Sequence, residues 1–271
     1  MGPYLRSPIA IAHRGGAAVW PENTVTAFEG AISLGIRYIE TDLHVTRDGH
    51  IVCFHDPTLG RTTDGVGRIV DITLAELRSL DPGYRFTRDG VTFPFRGKGC
   101  VVPTLKDALA LHPELLLNAE MKQREPPMEE RLWQEIERLD AFDRLLVAAS
   151  HDPLVHRFRA LRAVRMPTSA GIRAGMRFWA SARLGLGNLG RYPFDALQVP
   201  LTWNGIRVFD RPFLEAAHAR GLHVHCWTVD DRATMNHLLD MGVDGIMSDE
   251  PAVLAEVFRE RGLPLVPGAR S

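Results

Sequence analysis

Cysteine is scarce in this chain. There are three, Cys53, Cys100 and Cys226, far apart and odd in number, with no CxxC spacing. A disulfide framework is excluded, and the reading is buried free thiols in a reducing compartment. Net charge is scarce as well: 32 Lys and Arg against 33 Asp and Glu leave a formal −1. Nothing in that balance calls for nucleic acid or an anionic membrane. No apolar run reaches the roughly 18 to 20 residues that span a bilayer. The opening MGPYLRSPIAIAHRGG meets charge and glycine too early for a signal peptide, so the expected location is the cytoplasm. HExxH is missing too, which with the unpaired cysteines leaves structural zinc little support.

What the chain does have is a core and an alternation. At 271 residues, 45% hydrophobic and 24% charged, it has the composition of a soluble globular enzyme. Strand-like runs fall at 9–13, 37–44, 115–122, 145–150, 168–172, 196–200, 223–228 and 245–248. Helical patterns follow most of them, at 24–34, 105–111, 129–139, 153–161, 174–184, 210–220, 231–241 and 251–261. Helix starts carry Asn23-Thr24, Asp152-Pro153 and Asp230-Asp231, and Gly35, Gly221, Gly242 and Gly262 stand where helices should stop. Eight alternations of strand and helix predict a closed (β/α)8 TIM barrel. An open doubly wound sheet would carry a GxGxxG loop after its first strand, and HRGGAAVWPENT does not match.

A second strand-like run, 51–55, follows the turn Arg47-Asp48-Gly49. Residues 57–103 then break the alternation with Gly, Asp, Arg and Thr and one short helical pattern at 73–80. They are expected to form a small insertion after strand 2, over the C-terminal mouth where such barrels build active sites. The single barrel domain spans 1–271, and its tail, 262–271, is expected to be flexible.

The chemistry concentrates between Ile9 and Thr63. His13 and His55 end apolar runs and bracket Glu40-x-Asp42. Imidazoles at strand ends can move protons near neutral pH. Alternation puts Tyr38, Glu40, Asp42 and His44 on one face of strand 2, and Asn118, Glu120 and Lys122 on one face of strand 3. Buried carboxylates are costly unless paired or metal-bound, so Glu40, Asp42 and Glu120 are candidate oxygen ligands for Mg²⁺ or Ca²⁺. Surface salt bridges would account for a lone Glu-x-Asp; the third carboxylate on a neighbouring strand favours metal. Arg14 offers a planar fork for phosphate oxygens, Lys122 adds a second cation, and Gly15-Gly16 would let the backbone approach a ligand. Together these groups describe a phosphoryl site.

HRGG, PENT, ExD, TxDG, HD and RTTxGxG, in that order, resemble the glycerophosphodiester phosphodiesterase family. VPTL at 102–105, EMK at 120–122, WTVD at 227–230 and GVDGIMSDEP at 242–251 extend the resemblance over nearly the whole chain. The family's fold is a (β/α)8 barrel with a small insertion after strand 2. The resemblance implies a metal-dependent hydrolase that converts glycerophosphodiesters to sn-glycerol 3-phosphate and an alcohol. It implies Glu40, Asp42 and Glu120 as ligands of one divalent cation, Mg²⁺ or Ca²⁺. It implies His13 and His55 as the acid–base pair, with His13 favoured as base and His55 as acid. Arg14 and Lys122 match phosphate contacts. Trp227 matches an aromatic beside the glycerol or the leaving group, though a core aromatic on strand 7 would look the same.

The resemblance leaves the nucleophile as water or the neighbouring glycerol hydroxyl. The chain departs from the family pattern at His151, where Phe often follows Ser150, and at His44, where an aliphatic residue is common; packing is the simpler role for both. Residues 176–189, with Phe178, Trp179, Leu184 and Leu186, could form an apolar lip, but a helix packed on the barrel explains them more simply. Two other functions remain open: a lysophospholipase D acting on lysophospholipids, and a catalytically silent barrel that binds phosphodiesters.

Overall fold

A computed structural model describes residues 8–161, 164–185 and 192–266. Parallel strands β1 (Ile9–His13), β2 (Tyr38–Val45), β4 (Leu116–Met121), β5 (Leu145–Ala148), β6 (Ala196–Val199), β9 (His223–Cys226) and β10 (Gly245–Ser248) make a curled sheet. Its order is β5-β4-β2-β1-β10-β9-β6. Single bridges Val147↔Thr168 and Ser169↔Ala196 join the two outer strands, completing a (β/α)8 ring. Short β3 (Ile51–Cys53) pairs antiparallel with the end of β2, Leu43 facing Cys53.

The helices lie where the hydrophobic period changes. They are α1 (Val25–Ser33), α2 (Leu74–Arg78), α3 (Leu105–Ala110), α4 (Glu129–Leu139), α5 (Asp152–Leu161), α6 (Ile172–Arg183), α7 (Arg211–His218), α8 (Arg232–Met241) and α9 (Pro251–Glu260). Thr24 caps α1 through the Ala27 amide, while Thr73 and Thr104 close reciprocal capping boxes with Glu76 and Asp107. Asp210 and Asp231 cap α7 and α8 by accepting from the Phe213 and Thr234 amides.

Strand parity decides what goes where. Outward residues such as Ile39, Leu43, Leu117, Ala119, Val147, Leu197 and Val224 join the helix faces in the main cores. Phe28, Phe158, Phe178, Phe213 and Phe258 are fully buried among them, each worth roughly 1.5–3 kcal/mol of transfer free energy. Inward residues Ile9, Ile11, Tyr38, Leu116, Leu146, Ala148, Ala196 and Met247 fill the barrel, with Trp227 packed on them. Above this apolar plug the same faces turn polar, and that is where the functional side chains emerge.

The fifth strand is shorter than the sequence pattern predicts. Thr168 and Ser169 alone make bridges, and Ile172 opens α6. The Asp152 carboxylate accepts from the Arg173 and Ala174 amides at 2.8 and 2.9 Å. With those orphan donors satisfied, the helix begins early and truncates the strand. A two-stranded hairpin, β7 (Thr202–Trp203) and β8 (Ile206–Arg207), is an element the strand pattern does not include.

Residues 57–103 wrap a small core of their own, in which Leu59, Ile69, Leu77 and Val102 meet Val52 and Phe54. Phe178 anchors α6 in the core while Met176 and Leu184 are exposed; Leu186 and the rest of that apolar stretch lie outside the described residues. At the C-terminal end Leu263 and Leu265 pack on the cores, and 267–271 also lie outside the described residues. Among the described residues no helix is long and apolar enough to cross a membrane.

Candidate active site

Registry brings the carboxylates together. Asp42 on β2 lies opposite Glu120 on β4, and Glu40 lies opposite His13 on β1. One oxygen from each of Glu40, Asp42 and Glu120 falls within 4.8 Å of the others, so the three could hold a metal ion. Glu40 and Asp42 are buried. Burial, with Asp42 adding to it, pushes the Glu40 carboxyl up to about 8. Burial would also raise Asp42, but Lys122, Arg14, His55 and the Asn23 hydrogen bond hold it below the usual carboxylate range.

The cluster is crowded with negative charge and incompletely satisfied: Asp42 Oδ1 is buried and accepts no hydrogen bond of good geometry. An all-oxygen donor set with one oxygen to spare suits a hard divalent cation.

Cations already frame the cluster. Lys122 Nζ is 2.7 Å from Glu120 and 3.1 Å from Asp42. Burial would lower its pKa, and the two carboxylates more than reverse that, so it is held charged. Arg14 Nη1 donates to Glu22 at 3.0 Å, and its Nε lies 3.3 Å from Asp42. Its backbone amide donates to Glu40 at 3.2 Å. The structure thus brings both predicted phosphate cations to the carboxylates.

The glycines after Arg14 sit against two helices. A Cβ on Gly15 would sit 2.7 Å from Ala27 Cβ, and one on Gly16 would sit 2.6 Å from Pro251 Cγ. Both make room for helices.

Each histidine has a carboxylate behind it. His13 Nδ1 is 2.7 Å from Asp249, while its Nε2 lies 3.7 Å from Glu40. Burial opposes protonation of His13, but Glu40 and Asp249 outweigh it and raise its pKa. His55 Nδ1 is 2.6 Å from Asp56, whose other oxygen accepts from Arg61 at 2.5 Å. Arg61 also clamps Glu22, closing a chain of charge from His55 round to Arg14.

Asp249, Asp56, Glu22, Arg61 and Asn23 are the site residues that pattern reading passes over. Asn23 donates to Asp42 at 2.8 Å and accepts from Thr41 at 2.6 Å. Their signals were present in PENT, HD, RTT and SDEP, but as motif letters without a chemical partner. Trp227 follows β9 directly, half-buried and packed on the apolar plug.

Residues 13–253 match the model of the glycerophosphoryl diester phosphodiesterase family. The chain belongs to that family. A "Probable glycerophosphodiester phosphodiesterase 2" of Mycobacterium tuberculosis is 34% identical, covering 94% of this chain and 92% of that one. The glycerophosphodiester phosphodiesterase of Caldanaerobacter subterraneus subsp. tengcongensis is 30% identical over 94% of this chain and 99% of its own. Among solved structures, an Oleispira antarctica phosphodiesterase in complex with the product sn-glycerol-3-phosphate superposes with a TM-score of 0.76. It is 26% identical, with 96% of this chain and 100% of that chain covered. This glycerophosphodiester phosphodiesterase family member is thus an enzyme with the family's barrel.

Proposed function

We propose that the protein hydrolyses glycerophosphodiesters to sn-glycerol 3-phosphate and an alcohol, using one divalent cation and the histidines His13 and His55. The observation that carries the reading is the convergence of three carboxylates, two cations and two carboxylate-backed imidazoles at one end of the barrel. Glu40, Asp42 and Glu120 would hold Mg²⁺ or Ca²⁺, which supplies Lewis-acid stabilisation of phosphoryl oxygens. Arg14 and Lys122 spread the charge that builds on phosphorus in the transition state. Asp249 fixes His13 for proton removal from the nucleophile, and Asp56 fixes His55 for protonation of the departing alkoxide. The Oleispira antarctica complex with sn-glycerol-3-phosphate supports the substrate class.

Product analysis on glycerophosphocholine and lysophosphatidylcholine, with and without EDTA, tests this. The expected result is sn-glycerol 3-phosphate from the first substrate, abolished by chelation and restored by Mg²⁺ or Ca²⁺. His13→Ala and His55→Ala each lower kcat about a hundredfold or more. Full turnover after chelation, or near-wild-type kcat in both variants, sinks the mechanism. Faster cleavage of lysophosphatidylcholine would instead identify a lysophospholipase D, and binding without turnover a silent barrel.

A further inference from the structure

The catalytic cluster opens on one side into a cavity of about 420 Å³ that the reaction as described does not use. His55 and Lys122 line it, together with His44, Arg68, Arg124 and His151. We propose that this cavity is the subsite for the leaving alcohol, and that it selects glycerophosphodiesters whose alcohol carries its own phosphate or carboxylate. The assignment rests on the phosphodiesterase reading above: His55 protonates the departing oxygen, so the alcohol leaves along the wall His55 provides.

Charge decides the class of alcohol. Lys122 is matched by Asp42 and Glu120, and His55 by Asp56. Among the described residues Arg68 and Arg124 meet no carboxylate, and His151 has a buried Nδ1 with no hydrogen-bond partner. Glu125 is the one acidic residue in the lining beside them. Two free guanidiniums and an imidazole around one carboxylate favour an anion and disfavour a quaternary ammonium.

Both arginines are held by their backbones. Arg68 bridges Thr58, and the next amide, Ile69, donates to Pro57 at 3.1 Å, fastening it to the loop just after His55. Arg124 follows Gln123, which is buried, accepts from the Val45 amide at 3.0 Å and donates to the Pro126 carbonyl at 2.8 Å. Buried His44 meets the His55 carbonyl at 3.2 Å through its Nε2, joining the cavity floor to the catalytic histidine. The volume suits a polyol phosphate or hydroxy acid and sits at the small end of ligand cavities.

The test is kcat/KM of the full chain with its divalent cation on four substrates: glycerophosphocholine, glycerophosphoglycerol, glycerophosphoglycerol with a terminal phosphate, and glycerophosphoglycerate. The two anionic alcohols should exceed the neutral one by about tenfold or more, the effect of one charge-assisted hydrogen bond, with choline lowest. The phosphate and carboxylate arms show which anion fits better. Arg68→Gln and Arg124→Gln should each bring the anionic-to-neutral ratio toward one, chiefly through KM. Equal rates on all four, a preference for choline, or an unchanged ratio in both variants overturns the subsite while leaving the phosphodiesterase reading intact. No turnover of any substrate overturns that reading and the subsite with it.

Discussion

Asp249 stands 236 positions from His13 in sequence and 2.7 Å from it in space. Its carboxylate aims the imidazole, leaving Nε2 toward Glu40, and in the proposed reaction it would stabilise the charge formed when His13 takes a proton. Asp249→Asn keeps the shape and removes that charge, so kcat should fall at least about tenfold with the far-ultraviolet circular dichroism spectrum unchanged. Wild-type turnover in that variant would assign Asp249 a packing role. At this scale the ligand candidates were legible because parity is a local rule: Glu40 and Asp42 share a face whatever the rest of the chain does. Asp249 was not legible as a partner, because only closure of β10 against β1 brings it to His13. The same holds for Glu22, which gains its meaning from Arg61, 39 positions away.

Elements were legible where a period and a stop signal agreed. β1, β10 and α4 match the pattern residue for residue, and α4 ends on left-handed Asp140. The missed hairpin had its signal in Asn204-Gly205, both at positive φ, the pair that favours a two-residue turn. The fifth strand failed because Asp152, on a different element, satisfies the start of α6. The link between β1 and α1 is the least forgiving of these connections. Gly15 has φ +86, and a side chain there meets the α1 backbone at 2.9 Å. Gly15→Ala should therefore destabilise the protein by roughly 1–3 kcal/mol, read as a lower urea midpoint. It should also lower activity, because Arg14 is displaced with it. An unchanged midpoint would show that the loop can move away from α1 freely.

At the scale of the whole molecule, one buried histidine works against the fold in acid. His225 is buried inside the barrel, where Gly245 leaves just enough space for its ring and its Nε2 has no hydrogen-bond partner. Burial, with His223 nearby, pushes its pKa down to about 4, against 6.5 for an ordinary histidine. Below 6.5 the unfolded chain binds a proton that the folded one refuses. Stability from this group is complete above pH 6.5 and is lost as pH falls toward 4. Between pH 7 and pH 5 the loss should be roughly 2 kcal/mol. Glu40, raised to about 8, shifts stability the opposite way over this window, so the His225 part is measured as the difference between wild type and His225→Gln in their change of urea stability between those pH values. Equal acid sensitivity in both proteins would place the weakness elsewhere.

Residues 167–170 fill the gap between β5 and β6 without a full strand: the Val147 amide donates to the Pro167 carbonyl at 3.1 Å and the Ala170 amide to the Ala196 carbonyl at 2.8 Å. This is the thinnest join in the barrel wall, and it is edged by β5, the neighbour of β4, which carries Glu120. The Ser150 amide, just past β5, donates to Glu120 at 3.1 Å. One of the three carboxylates therefore takes part of its aim from the flank of the ring that is joined by the fewest residues.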